Sequence, residues 1–166
     1  MIRKVLLALA ALAVLALGGL YAWGLSIPAT TRTEREVQFA ASPEQVHARI
    51  SDVRGQKAWR SDVGKVEVSS DGKQWTEFPD DGSTLTFRLI ESRPASTFAI
   101  AYKSSVGFEG LWRAELEPKG NGTHGLFVEE VTIPNPFFRG IGRLASPPGQ
   151  HLDIYLKDLR RVTGSR

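Results

Sequence analysis

Glu129 and Glu130 are the residues best placed to do chemistry in this chain. They are neighbours in a run that alternates like a strand, Thr123 to Ile133, so one points to one face of a sheet and the other to the opposite face. A carboxyl buried on the inner face has its pKa raised and can act as a general acid or base. Tyr102 or His151 is the expected partner. The competing reading is a cross-strand ion pair between Arg113 and one of the two carboxylates, which would make that glutamate an ordinary sheet residue. The sequence favours pairing over catalysis, and it leaves open which of the two glutamates faces inward.

Other chemistries find no support. His47, His124 and His151 lie far apart, without H-E-x-x-H or paired-ligand spacing, so no metal site is expected. His47 on a helix and His124 at a strand start read as structural or solvated. The chain has no cysteine, which removes thiolate catalysis, disulfides, Fe–S clusters and lipidation through a cysteine. There is no G-x-S-x-G elbow, phosphate loop or dinucleotide fingerprint, and no cofactor is expected. Asn121-Gly122-Thr123 matches a glycosylation triplet but reads better as a hairpin turn.

The 166 residues suit one domain with an extension, and 42% hydrophobic and 23% charged residues describe a globular chain. The net charge of +3 is misleading. Removing Arg3 and Lys4 from the 21 basic residues leaves a balance of +1 against 18 acidic ones, so nothing points to nucleic acid. Arg160 and Arg161 read as a helix end answering its own dipole.

The segment 1–25 carries Arg3 and Lys4, then an almost entirely apolar run from Val5 to Leu25 with Tyr21 and Trp23 at its far end. About 21 helical residues give roughly 31 Å, enough to cross a hydrocarbon core. A retained anchor is favoured over a cleaved signal, because the run exceeds a signal core and Trp23 would sit inside the cleavage site. The expected arrangement is a single pass through the cytoplasmic membrane, N-terminus inside, with a linker at 26–31 and the domain at 32–166 on the outer side.

Along that domain, Arg32 to Phe39 alternates as a first strand, and Ser42-Pro43-Glu44-Gln45 is a helix entry with a capping box. A short helix or turn at Gln56 to Arg60 carries Trp59. Strands follow around Val66 and Val68, Gln74 to Phe78, Ser83 to Glu91, Thr97 to Tyr102, Phe108 to Glu117 and Thr123 to Ile133, separated by turns such as Asp71-Gly72 and Lys119-Gly120-Asn121-Gly122. The pattern predicts an α+β domain with an antiparallel meander of about seven strands. Asn135 caps a short helix with Phe137, Ile141 and Leu144 on one side, and Leu152, Tyr155, Leu156 and Leu159 define a closing amphipathic helix.

This order, with Ala41-Ser42-Pro43-Glu44-Gln45-Val46, Asp52, Trp59, Asn135-Pro136-Phe137 and Leu156-Lys157-Asp158-Leu159, resembles the START-like or SRPBCC superfamily over about residues 32–162, in its polyketide cyclase/dehydrase and lipid-transport branch. The resemblance implies a helix-grip fold, in which a curved sheet wraps the last helix around an apolar cavity. Trp59, Trp75, Phe87, Phe98, Ile100, Trp112, Phe137, Leu152 and Leu156 are the expected lining, and an apolar small molecule or lipid the expected partner, beside the membrane itself. Phe137 and Phe138 would then touch lipid or gate the opening. Two alternatives stand: a cyclase or dehydratase using Glu129 or Glu130, and a domain whose rings fill its core and which serves as an interaction module.

Overall fold

The structure is a computed structural model, and it describes residues 1–164. Helix α1 (Ile2–Ser26) is followed by β1 (Thr30–Phe39), α2 (Pro43–Ser51) and a 3-10 turn at Gln56–Ala58. The meander comprises β2 (Lys65–Val68), β3 (Gln74–Phe78), β4 (Leu85–Arg93), β5 (Thr97–Ser104), β6 (Glu109–Lys119) and β7 (Gly122–Thr132). Two helices close the chain, α3 (Pro136–Ala145) and α4 (Gln150–Thr163).

All seven strands form one antiparallel sheet in the order β1-β7-β6-β5-β4-β3-β2. The logic is local. Helix α2 and the 3-10 turn carry the chain from one sheet edge to the other, and the meander then returns strand by strand until β7 pairs with β1. A bulge at Ile90, between Leu89 and Glu91, breaks the β4–β5 register and bends the sheet. This is the α+β helix-grip arrangement, with the apolar helix α1 added at the N-terminus.

Sequence chemistry sets the ends of the elements. The Ser42 hydroxyl accepts from the Gln45 backbone N–H while the Gln45 side chain accepts from the Ser42 N–H, so the capping box closes as expected. Asn135 Oδ1 accepts from the Phe137 N–H at 2.9 Å and caps α3. Gly72 adopts φ of 70° in the β2–β3 hairpin, a conformation that costs residues with a side chain.

Strand β1 begins at Thr30 rather than Arg32, because Thr30 and Thr31 pair with Thr132 and Val131; the expected linker is shorter by those two residues. Strand β4 lies two residues downstream of its expected span. His47 is not solvated: it is 7% exposed, with its ring edge-on to Phe98 and Nε2 3.3 Å from Ser92 Oγ.

The core lies between the sheet's concave face and the helices α2 and α4. Phe39, Val46, Ile50, Phe127, Leu152 and Leu159 are its most completely buried members. The end of α4 is fastened to the β1–α2 junction, where Ala40 and Ala41 donate backbone N–H groups to the carbonyls of Gly164 and Thr163. Helix α1 lies apart from this core with its apolar side chains exposed, and its length and hydropathy suffice to cross a membrane.

Candidate functional site

Strand parity decides which glutamate matters. On β7, Thr123, Gly125, Phe127 and Glu129 share the concave face, while Glu130 faces out and pairs with Arg32 of β1 at 3.1 Å. Arg113 does not pair with either glutamate. It lies on the outer face of β6 and engages Glu91 and Glu115, each at 2.8 Å.

Glu129 instead meets Tyr102. The Tyr102 hydroxyl donates to Glu129 Oε1 at 3.1 Å, although β6 runs between their strands. The crossing is possible because the β6 residue between them is Gly110: a Cβ there would lie 2.5 Å from Tyr102 Cζ and 2.5 Å from the Glu130 carbonyl oxygen. Gly110→Ala is therefore expected to force the phenol aside and cost about 1–3 kcal/mol. Chemical denaturation measures the cost, and wild-type stability would contradict the account.

Burial pushes the Glu129 carboxyl above the usual carboxylate range, against the opposing pull of the Tyr102 hydrogen bond and of His151. Burial, then the Glu129 charge, pushes the Tyr102 phenol up as well. Asp81 in the β3–β4 turn is held below the usual carboxylate range chiefly by hydrogen bonding with Ser83, with His151 at the exposed start of α4 a lesser influence.

The sign of the pH effect follows. Between the ordinary value of 4.5 and the higher folded value, the native state holds the Glu129 proton more tightly than the unfolded chain, so stability falls as pH rises. Glu77, also raised, acts in the same direction. Glu129→Gln should flatten the decline in melting temperature above pH 4.5 while leaving the Glu77 part. Identical pH profiles for the two proteins would remove Glu129 from the account.

The apolar residues expected to line a cavity fall into three groups. Trp75, Phe87, Phe98 and Trp112 are buried and joined by ring contacts: Trp75 stacks on Phe87 at 5.2 Å, Phe87 meets Tyr102 at 5.6 Å, and Trp112 meets Phe98, Phe127 and Tyr155 at 6.4, 5.7 and 5.2 Å. Trp59, Leu152 and Leu156 are buried in the same cluster; the Trp59 indole N–H has no hydrogen-bond partner among the described residues. Ile100 is different: it faces inward yet stays partly exposed, as do Leu85, Leu89 and Phe108. These four pack against the core cluster without being fully covered, on the side where Tyr102 meets Glu129. Phe137 lies outside the core cluster, on α3, with its ring 5.9 Å from that of Phe138.

Two depressions of about 400 and 550 Å³ flank α4, the first lined by Arg35, Val37, Leu156 and Arg161 among others, the second by Ala41, Gln45, Arg49 and Val162 among others. Both are open to solvent. Among the described residues, no group of three or more acidic or histidine side chains is placed to hold a metal.

A second polar cluster escaped the sequence reading. The Arg60 guanidinium donates through Nε and Nη2 to the Asp62 carboxylate at 3.0 and 2.9 Å. Its Nη1 donates to Gln56 Oε1 at 2.6 Å and to both Glu77 oxygens at 3.0 Å. Trp75 Nε1 donates to Glu77 at 3.2 Å, and the guanidinium stands 5.3 Å from the centre of the Tyr155 ring. Burial alone would lower the Arg60 pKa, but Glu77 and Asp62 outweigh it and keep the side chain charged. The signal was available: Glu77 shares strand parity with the inward Trp75, and an inward carboxylate demands a partner.

The family model for polyketide cyclase/dehydrase and lipid transport matches residues 30–151, and the chain belongs to that family. Among solved structures, the Zhui aromatase/cyclase from a Streptomyces species is 16% identical with a TM-score of 0.67, the match covering 81% of this chain and 97% of that one. A START superfamily protein from Mycobacterium smegmatis is 17% identical with a TM-score of 0.60, the match covering 80% and 96%. At such identities the likeness speaks for the fold. No curated protein matches the chain. Family membership supports small-molecule binding or cyclase activity in general.

Proposed function

We propose that the chain is a membrane-tethered binder or carrier of an apolar small molecule or lipid, held in the cleft between the sheet and α4. The observation that carries this reading is the partial exposure of Leu85, Leu89 and Ile100 on the concave face of the sheet, with Phe108 of the β5–β6 turn beside Tyr102. Inward apolar side chains are ordinarily covered. Here they offer a guest an apolar floor with a few polar groups at one side, the usual make-up of a small-molecule site. Trp59, Trp75, Phe87, Phe98, Trp112, Leu152 and Leu156 support that floor from below and beside it.

Helix α1 is the tether in this reading, with Arg3 and Lys4 on the cytoplasmic side and the body on the outer, periplasmic or extracytoplasmic side. Its last turns pack on the body, Gly24 against Pro136 and Leu20 against Gly140, which favours a retained helix over a cleaved signal. The test uses the full chain in detergent or nanodiscs, with cis-parinaric acid as a fluorescent probe. Saturable binding that Ile100→Trp weakens at least tenfold, without a loss of melting temperature, is the expected result. Absence of saturable binding, or binding indifferent to that substitution, rejects the cleft.

A second reading draws on Glu129. A buried carboxyl of raised pKa, hydrogen-bonded to a phenol at the edge of an apolar cleft, suits acid–base chemistry on a bound substrate. If the domain is a cyclase or dehydratase, Glu129→Gln abolishes turnover and leaves probe binding intact.

A further inference from the structure

Helix α3 turns its apolar arc away from the protein. Phe138, Ile141 and Leu144 are 45%, 40% and 73% exposed, and they fall within one side of the helix. The side next to this arc carries Gly140, buried against Leu20, and Pro136, whose carbonyl lies against Gly24. The charges on α3 are Arg139 and Arg143, with no acidic residue, and Arg139 Nη1 donates to the Ile27 carbonyl at 2.7 Å. The β5–β6 turn adds Val106, 56% exposed, beside Gly107, whose position abuts the Phe138 ring.

The depth of this surface is set by what α3 touches. Leu20 and Gly24 belong to the last turns of α1, and only about 9 Å of helix rise separates Leu20 from Ser26. A helix packed there, with α1 across the bilayer, lies at the level of lipid headgroups and upper acyl chains. Interfacial helices bury an apolar face about 5–10 Å into that layer and direct their cations toward anionic lipid. Phe138, Ile141 and Leu144, with the exposed Arg143 on the opposite face and the apolar surface of α1 adjoining, meet that description.

We infer that α3 is an interfacial helix whose Phe138–Ile141–Leu144 arc is embedded in the outer leaflet. The inference rests on the tethered reading above and deepens it. Because Gly107 of the β5–β6 turn abuts Phe138 of α3, and the next residue, Phe108, packs edge-on to Tyr102 at 6.4 Å, the embedded helix holds the Tyr102–Glu129 side of the cleft against the bilayer. A lipid-phase molecule then reaches the cleft without crossing bulk water.

The full chain lacks cysteine, so single-cysteine variants can be labelled cleanly. Phe138→Cys, Ile141→Cys, Leu144→Cys, Leu12→Cys within α1 and Lys73→Cys on the distant β2–β3 hairpin would carry an environment-sensitive fluorophore. Each is reconstituted in phosphatidylcholine and phosphatidylglycerol vesicles containing a lipid-borne quencher or exposed to aqueous iodide. The expected result is several-fold stronger lipid quenching at positions 138, 141 and 144 than at 73, with iodide ranking them in reverse. A buried label at 12 with labels on α3 as water-exposed as that at 73 overturns the inference while the tether stands. Labels on α3 shielded from both quenchers overturn it in favour of a protein partner or a second copy. A water-exposed label at 12 removes the tether and the inference together.

Discussion

Arg60→Met is expected to destabilise the fold by about 3–5 kcal/mol, because it strands the Glu77 carboxylate, 2% exposed, without its cation. The loss should be read by denaturant titration of a chain in which α1 is held in detergent. Much of it reflects an uncompensated buried charge rather than the strength of the ion pair itself. Arg60→Met combined with Glu77→Gln should therefore recover most of the stability, and the recovery is the diagnostic outcome. A double variant no better than the single one would show that Arg60 acts instead through Asp62, Gln56 and the Tyr155 ring, all of which it also touches.

Trp112→Ala should have a comparable effect, about 3–5 kcal/mol, since the indole contacts rings on β5, β7 and α4 and its removal leaves a void among them. The void has a use. Added indole should raise the variant's melting temperature in proportion to the logarithm of its concentration, and do little to the wild type. A variant that loses stability without responding to indole has collapsed around the gap. Rescue would establish that this interior accepts an aromatic guest next to Ile100, the cross-strand neighbour of Trp112.

Local signals carried much of the architecture. Ser42 with Gln45, Asn135 before Pro136, and the glycine turns each dictate backbone geometry within a few residues, and each lies where expected. The inward parity of β7 was not legible in the same way. Phe127 and Val131 alternate on one face, but Leu126 and Val128 alternate on the other, so hydrophobicity cannot choose between Glu129 and Glu130. The choice depends on the register with β6, where Gly110 admits the Tyr102 ring. Arg113 was misjudged for the same reason, as only the β4–β5–β6 register brings Glu91 within its reach.

His47 and the α3 arc illustrate a second obstacle. Each lies on an amphipathic helix, and periodicity reveals that a helix has two faces without saying what covers either. His47 turned inward because Phe98 and Ser92 occupy that side. The apolar arc of α3 turned outward because Gly140 and Pro136 allow the helix to rest closely on α1, using its narrow side for contact. Tertiary neighbours, absent from any local window, made both choices.

The β1 strand, ten residues long, forms one rim of the sheet, and an edge strand is a template on which another chain can pair. Arg32, Glu34, Glu36 and Gln38 stud that rim with charge and polarity, and Arg35 directs a further charge inward to Asp153 at 2.8 Å. Such decoration discourages strand-to-strand zippering between copies and with it fibrous assembly.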